Sequence, residues 1–209
     1  MNIQINTIKT ERLHVRRLEL SDAQAILEMF SNPDVTKYLN IQQMTSLSQA
    51  EQFIKETHNG FQDYQLLELG IIETRSQRLI GTCTYSDWDQ MNKRAEIVFA
   101  LCKVSWGNGF MKELLPVFIL FGFRDLGLHR IEADVDPRNL ASIRLLEHFG
   151  FKREGYLRER YHINEEIQDA VFYGLLKKEY FNTYNSNSLS TKLKCRAVIR
   201  LLKHEHGFL

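Results

Sequence analysis

Trp106-Gly107-Asn108-Gly109-Phe110-Met111-Lys112 decides how the rest of the chain is read. Upstream of it, Ala95-Glu96-Ile97-Val98-Phe99-Ala100-Leu101 is an apolar run that reads as a strand. Downstream, Glu113 to Leu126 is a long apolar segment that reads as a helix. The order is strand, glycine-bearing turn, helix. Two glycines let the backbone approach a ligand closely. A helix start presents N–H groups without intrahelical partners at the positive end of the dipole, an arrangement that suits a phosphate. Taken alone, the stretch has two readings: a pyrophosphate cradle, or an ordinary tight turn from strand to helix.

Working outward, Thr10 to Leu18 alternates apolar and polar residues and predicts an edge or half-buried strand. Ser21-Asp22 offers a cap to a helix with Ala25, Ile26, Met29 and Phe30 on one face, and Asn32-Pro33-Asp34 stops it. Residues 34–46 read as loop, with Tyr38 and Leu39 as lid or packing residues, before a second helix capped by Ser48 and ended by Asn59-Gly60. Gln65 to Glu73 and Arg78 to Trp88 form a hairpin of strands, and Gly81 within the second marks a bulge or a close backbone approach. Three antiparallel strands thus precede the glycine turn. In the helix beyond it, Pro116 implies a kink or an irregular first turn. Arg130 to Val135 is a strand and Ala141 to Phe149 a helix. Phe151 to Arg160 and Gln168 to Leu176 are strands, with a turn at Asn164-Glu165-Glu166. The total is about seven strands and four helices in one α+β domain over residues 1–180. Residues 181–209 add a polar linker, Asn182 to Ser188, and a final helix, Leu189 to His204.

A chain of 209 residues, 44% apolar and 25% charged, is an ordinary globular composition with room for one sizeable core. A net charge of +1 argues against nucleic-acid binding by bulk charge. The charge is uneven: residues 181–209 hold five Lys/Arg against one Glu, a local +4 that leaves −3 for the body. Cys83, Cys102 and Cys195 form no CxxC pair, which argues against a zinc site or a disulfide framework and suits a reducing compartment. The first eighteen residues lack the continuous apolar core of a signal peptide, and no apolar run is long enough to span a bilayer, so the expected location is cytoplasmic. The seven histidines show no metal spacing, and no metal site is expected. Cys102 has no Cys/His constellation around it and reads as a small strand residue rather than a nucleophile.

Several segments occur together and in order: Ala95-Glu96-Ile97, Trp106-Gly107-Asn108-Gly109, Leu128 to Ala133, Asp136-Pro137-Arg138-Asn139-Leu140-Ala141-Ser142, and Phe149 to Gly155. Over residues 8–180 the chain resembles the GNAT superfamily of acetyl-CoA-dependent N-acetyltransferases, and within it the ribosomal-protein N-acetyltransferase (RimJ/RimL-type) branch. The resemblance implies a mixed, curved sheet that splays open after its fourth strand and takes acetyl-CoA in the splay. The family's pyrophosphate loop, Arg/Gln-x-x-Gly-x-Gly/Ala, falls on Trp106, Gly107, Asn108, Gly109, Phe110 and Met111, with Lys112 following. Trp106 replaces the polar first residue and Met111 the small last one. Backbone donors for the thioester carbonyl are implied at Phe99, Ala100 or Leu101, whose strand edge would also pair with the pantetheine arm.

Acyl transfer to an amine requires a base for the amine proton, donors for the carbonyl oxygen and a proton for the departing thiolate. Many relatives supply that last proton from a Tyr at the position of Leu146 here. The resemblance to the ribosomal-protein branch moves the role to Ser142, with Asn139 as the matching CoA contact at the helix start; a small residue chosen for close packing is the other reading of Ser142. The base is Glu96 or Glu159. Glu96 lies on the carbonyl-donor strand, where burial raises a carboxyl's pKa, unless it is a salt-bridged residue paired with Arg94 or Arg130. Glu159 precedes Tyr161 by two and so shares its strand face, near where the branch often places an acid.

The expected function is transfer of acetyl from acetyl-CoA to a primary amine by direct attack. The acceptor is the N-terminal α-amine of a protein, such as a ribosomal protein, or a small amine such as a polyamine, antibiotic or amino acid. The departures at Trp106, Met111 and Leu146 also allow a catalytically inactive acyl-CoA-binding module. In the tail, Leu189, Leu193, Ala197, Ile199, Leu201 and Leu202 interleave with Lys192, Lys194, Arg196, Arg200 and Lys203 as a basic amphipathic helix. It would pack on the domain or a homodimer partner, contact the ribosome or an acidic protein, or lie on a membrane surface or stay disordered.

Overall fold

The computed structural model describes residues 8–62, 65–163 and 166–185. Strands β1 (Ile8–Lys9), β2 (Leu13–Arg17), β3 (Leu67–Glu73), β4 (Leu79–Asp89), β5 (Arg94–Leu101), β6 (Arg130–Val135), β7 (Lys152–Ile163) and β8 (Glu166–Leu176) form one sheet. Its order is β1-β2-β3-β4-β5-β6-β8-β7. Every pairing is antiparallel except β5 with β6. The helices are α1 (Ala23–Phe30), α2 (Pro33–Thr36), α3 (Leu47–Gln62), α4 (Phe110–Arg124), α5 (Leu140–His148) and α6 (Lys177–Asn185).

The architecture is the expected α+β class, with eight strands and six α-helices among the described residues in place of about seven and four. The additions are elements too short for periodicity to reveal, or placed at a boundary. The two-residue β1 pairs Ile8 with Val15. The Asn32-Pro33-Asp34 stop also starts α2: the Asn32 side chain accepts from the Asp34 N–H and Pro33 occupies the first turn. Gly60 does not end α3, which runs on to Gln62. Helix α6 continues through Asn182, where the linker was expected to begin. The predicted tail helix, Leu189 to His204, and Cys195 lie outside the described residues.

Strand alternation sends successive side chains to opposite faces, and each face carries its own core. On one face, Leu69, Ile97 and Ile131 pack with Leu114, Phe118 and Phe121 of α4. On the other, Ile72, Leu79 and Ala100 pack with Ile26 and Met29 of α1 and Ile54 of α3. Helix α4 buries eleven of its fifteen residues, as a helix enclosed by the fold must. It runs unbroken through Pro116, whose carbonyl accepts from the Tyr180 hydroxyl at 2.7 Å. Gly81 meets both expectations for it: the β3–β4 register shifts next to it, and a Cβ there would sit 2.3 Å from the Ala100 carbonyl.

Candidate active site at the strand fork

Strands β5 and β6 part at Glu96. Their register joins Arg94–Glu96 to Arg130–Glu132 and stops there, while β5 stays paired with β4 as far as Leu101. Ile97 to Leu101 therefore has one edge with no β6 partner. With β1 added at the start of the sheet, this is the splay expected after the fourth of the strands read from the sequence.

From β5 the chain turns through Lys103–Ser105 into the glycine loop and α4. Gly107 and Gly109 have φ of 75° and 76°. A Cβ on Gly107 would meet nothing within 4 Å, so conformation rather than space calls for glycine there. Gly109 is the N-cap of α4, and among the described residues no side chain caps that helix. Its first-turn N–H groups thus have neither an intrahelical nor a side-chain acceptor.

The loop is braced. Trp106 Nε1 donates to the Leu101 carbonyl at 2.9 Å, fixing the loop to the end of β5. Asn108 Nδ2 donates to the Trp106 carbonyl at 3.2 Å, and Arg12 Nη1 donates to the Asn108 carbonyl at 3.0 Å. Arg12 also stacks on Phe110, 4.6 Å from the ring centroid, and its Nε meets Glu113 Oε2 at 2.6 Å. Burial would raise the Glu113 pKa, but donors from Thr10 and from the Arg12 backbone and side chain outweigh it and hold the carboxyl below its usual value.

A cleft of about 600 Å³ opens against this loop. Phe99, Ala100 and Leu101 form its strand wall. Trp106, Gly107, Gly109, Phe110, Met111 and Lys112 contribute from the loop and the start of α4. Asn139 and Ser142 contribute from α5. Met111 lines the cleft and packs against the α4 core as well. Asn139 caps α5, its Oδ1 accepting from the Ser142 N–H at 3.2 Å. Tyr38 and Leu39 close the cleft from the segment after α2. Asn108 is the one expected loop residue that does not line this cleft; it lines a neighbouring cavity, beside Cys102 and Lys103. Leu146, 1% exposed, is a core residue. Burial raises the Cys102 pKa, which keeps it a thiol.

The two candidate bases sit in different surroundings. Arg94 and Arg130 both bond Glu132, at 2.9 and 2.7 Å, and leave Glu96 without the salt bridge considered for it. Burial, then the nearby charges of Asp134 and Asp87, raise the Glu96 pKa to about 7, against the opposing pull of the Asp134 N–H and Arg160. Glu159 does not share the strand face of Tyr161. The β7–β8 register breaks between Leu157 and Tyr161, Glu159 has φ 53°, and it is exposed, with its N–H donating to Asp169 Oδ1 at 2.8 Å. A bulge with extra residues cancels the two-residue count that linked them.

Tyr161 instead reaches the fork: its hydroxyl donates to Asp134 Oδ2 at 2.9 Å, and burial, then that bond, push its pKa up. Asp134 and Arg12 are functional candidates that the sequence reading missed. Asp134 had a signal, since Arg130, Glu132 and Asp134 alternate with buried Ile131, Ala133 and Val135. Arg12 had none, lying 96 positions from the loop it braces.

An open strand edge, uncapped helical amides facing a cleft of cofactor size and a carboxyl titrating near neutrality together suit acyl transfer from a phosphate-bearing thioester. Residues 12–152 match the acetyltransferase (GNAT) domain family. The chain is 40% identical over 176 residues to an uncharacterized N-acetyltransferase, p20, of Bacillus licheniformis, covering 84% of this chain and 99% of that one. It is 28% identical over 112 residues to the Escherichia coli [ribosomal protein uS5]-alanine N-acetyltransferase, covering 53% and 58%. A Vibrio cholerae spermidine N-acetyltransferase solved with CoA and spermine superposes with a TM-score of 0.73 at 24% identity, covering 82% of this chain and 99% of that one.

Proposed function

The chain belongs to the GNAT acetyltransferase family, and from that premise we propose that it moves an acetyl group from acetyl-CoA to a primary amine by direct attack at the β5–β6 fork. The observation that carries this reading is the fork itself, with the uncapped start of α4 at one end of its cleft and Glu96 at the parting of the strands. In this reading the amides from Gly107 to Lys112 bind the diphosphate. The free edge of Phe99–Leu101 holds the pantetheine arm and donates to the thioester carbonyl.

Glu96 takes the amine proton. Along an extended strand its backbone stands about 10 Å from that of Phe99 at ~3.3 Å per residue, a span for a chain of waters rather than direct contact. As the amine nitrogen bonds to the carbonyl carbon, the carbon–sulfur bond breaks, and the Ser142 hydroxyl gives its proton to the sulfur and is restored by the second proton that the nitrogen sheds on becoming an amide. Residues 1–180 form the catalytic unit in this proposal, and 181–209 an appendage. Both acceptor classes stay within the reading, the α-amine of a protein and a small amine. The test is mass detection of acetyl gain with purified protein, acetyl-CoA and a panel holding Ala- and Ser-initiated peptides, spermidine and single amino acids. Gain on a primary amine supports the reading. CoA binding with no gain on any amine favours the inactive module.

A further inference from the structure

We infer that Asp134 receives the acceptor as an ammonium ion and so selects cationic amines, an inference that rests on the fork being the acetyl-transfer site. Asp134 lies two residues beyond Glu132, the last β6 residue in register with β5, and so stands where the strands open. Its side chain is only 2% exposed. Oδ2 is occupied, accepting from Arg160 Nε at 3.0 Å and from the Tyr161 hydroxyl at 2.9 Å. Oδ1 is buried and has no hydrogen-bond partner among the described residues. Buried carboxylate oxygens rarely go without a donor, and one that does at a reaction site calls for a ligand that brings one.

The charges around it favour a cation over a neutral donor. Asp134 on β6, Glu96 on β5 and Asp87 on β4 are acidic, and Tyr161 of β7 is a neutral phenol. Arg160 of β7, half exposed, is the cation among these neighbours. An ammonium brings three donors and a compensating charge. Asp134 also adjoins the base through its main chain: its backbone N–H donates to Glu96 Oε1 at 3.4 Å. From an ammonium held on Oδ1, one N–H bond breaks as its proton passes through water to Glu96. The nitrogen keeps the electron pair with which it attacks the thioester, and its second proton restores the Ser142 hydroxyl after that hydroxyl has protonated the sulfur. An amine that arrives uncharged can donate to Oδ1 but gains nothing from the charge of Asp134.

The test compares wild type, Asp134→Asn and Arg160→Gln with two acceptors: spermidine, a cation, and hydroxylamine, uncharged at pH 8. Asp134→Asn should raise KM for spermidine at least tenfold while KM for hydroxylamine and CoA affinity stay within about twofold. Arg160→Gln, which removes the competing cation and spares the carboxylate, should lower KM for spermidine. Calorimetry of spermidine into CoA-saturated protein gives a readout free of turnover, with binding weakened by Asp134→Asn and strengthened by Arg160→Gln. Spermidine binding that is absent in wild type or unchanged in Asp134→Asn overturns the inference, as does an equal loss of both acceptors. Failure of wild type to acetylate either amine counts against the acetyl-transfer reading instead, and the calorimetry still decides the cation site.

Discussion

Glu96 shows how a single side chain acquires a task from its surroundings. A glutamate on a strand is unremarkable in sequence, but one facing Asp134 and Asp87 in a half-buried fork is poised to accept a proton near neutral pH. The rate–pH profile should have an acid limb centred near 7, where Glu96 protonates, and Glu96→Gln should abolish that limb and lower kcat about 10²- to 10³-fold. The same shift has a stability consequence of known sign. A carboxyl whose pKa is higher folded than unfolded favours the fold below pH 4.5, and that contribution is lost as pH rises through about 7. In denaturant melts Glu96→Gln should therefore gain on wild type at pH 8 relative to pH 5, by on the order of 2 kcal/mol. Ser142→Ala tests the proton donor to sulfur: kcat should fall while calorimetric CoA affinity holds, since the helix cap uses the Ser142 backbone and not its hydroxyl.

The glycine loop is an element whose local form was legible and whose support was not. Two glycines between a strand and a helix marked where the backbone could approach a ligand and where free helical N–H groups would lie; the structure adds that both glycines are left-handed and that no side chain of the described residues caps the helix. The brace from Arg12, Thr10 and Glu113 joins the β1–β2 turn to α4 across about a hundred positions, and no periodicity encodes such a contact. Arg12→Ala should weaken CoA binding several-fold with the fold retained, as read by calorimetry and circular dichroism. Gly109→Val, forcing a branched side chain to φ 76°, should cost roughly 1–2 kcal/mol in unfolding free energy and weaken CoA binding more than tenfold. The β7 bulge teaches the reverse lesson. Counting by twos put Glu159 beside Tyr161, but alternation holds only in an unbroken ladder, and extra residues in one strand erase it.

At the scale of the molecule, one sheet carries two cores, and the site opens where the sheet divides. The order of strands and helices was readable from periodicity and turn residues. The parallel pairing that ends after three residues was not, since strand divergence is a tertiary fact with no local pattern. The resemblance to the family supplied it. Helix α4 links the two scales, because the helix whose first turn faces the cleft is also the centre of the larger core. Phe118→Ala should cost about 3–5 kcal/mol, since the ring is fully buried and stacks on Tyr85 at 4.5 Å. Binding to the native state alone stabilises it, so acetyl-CoA at a hundred times its Kd should add about 2.7 kcal/mol.

The most direct trial is a crystal structure of the protein with CoA. It should place the diphosphate within hydrogen-bond distance of the amides between Gly107 and Lys112, with the pantetheine arm along Phe99–Leu101 and the sulfur toward Ser142. A nucleotide seated in another cleft, or a Met111 side chain filling the recess where the diphosphate should lie, would contradict it.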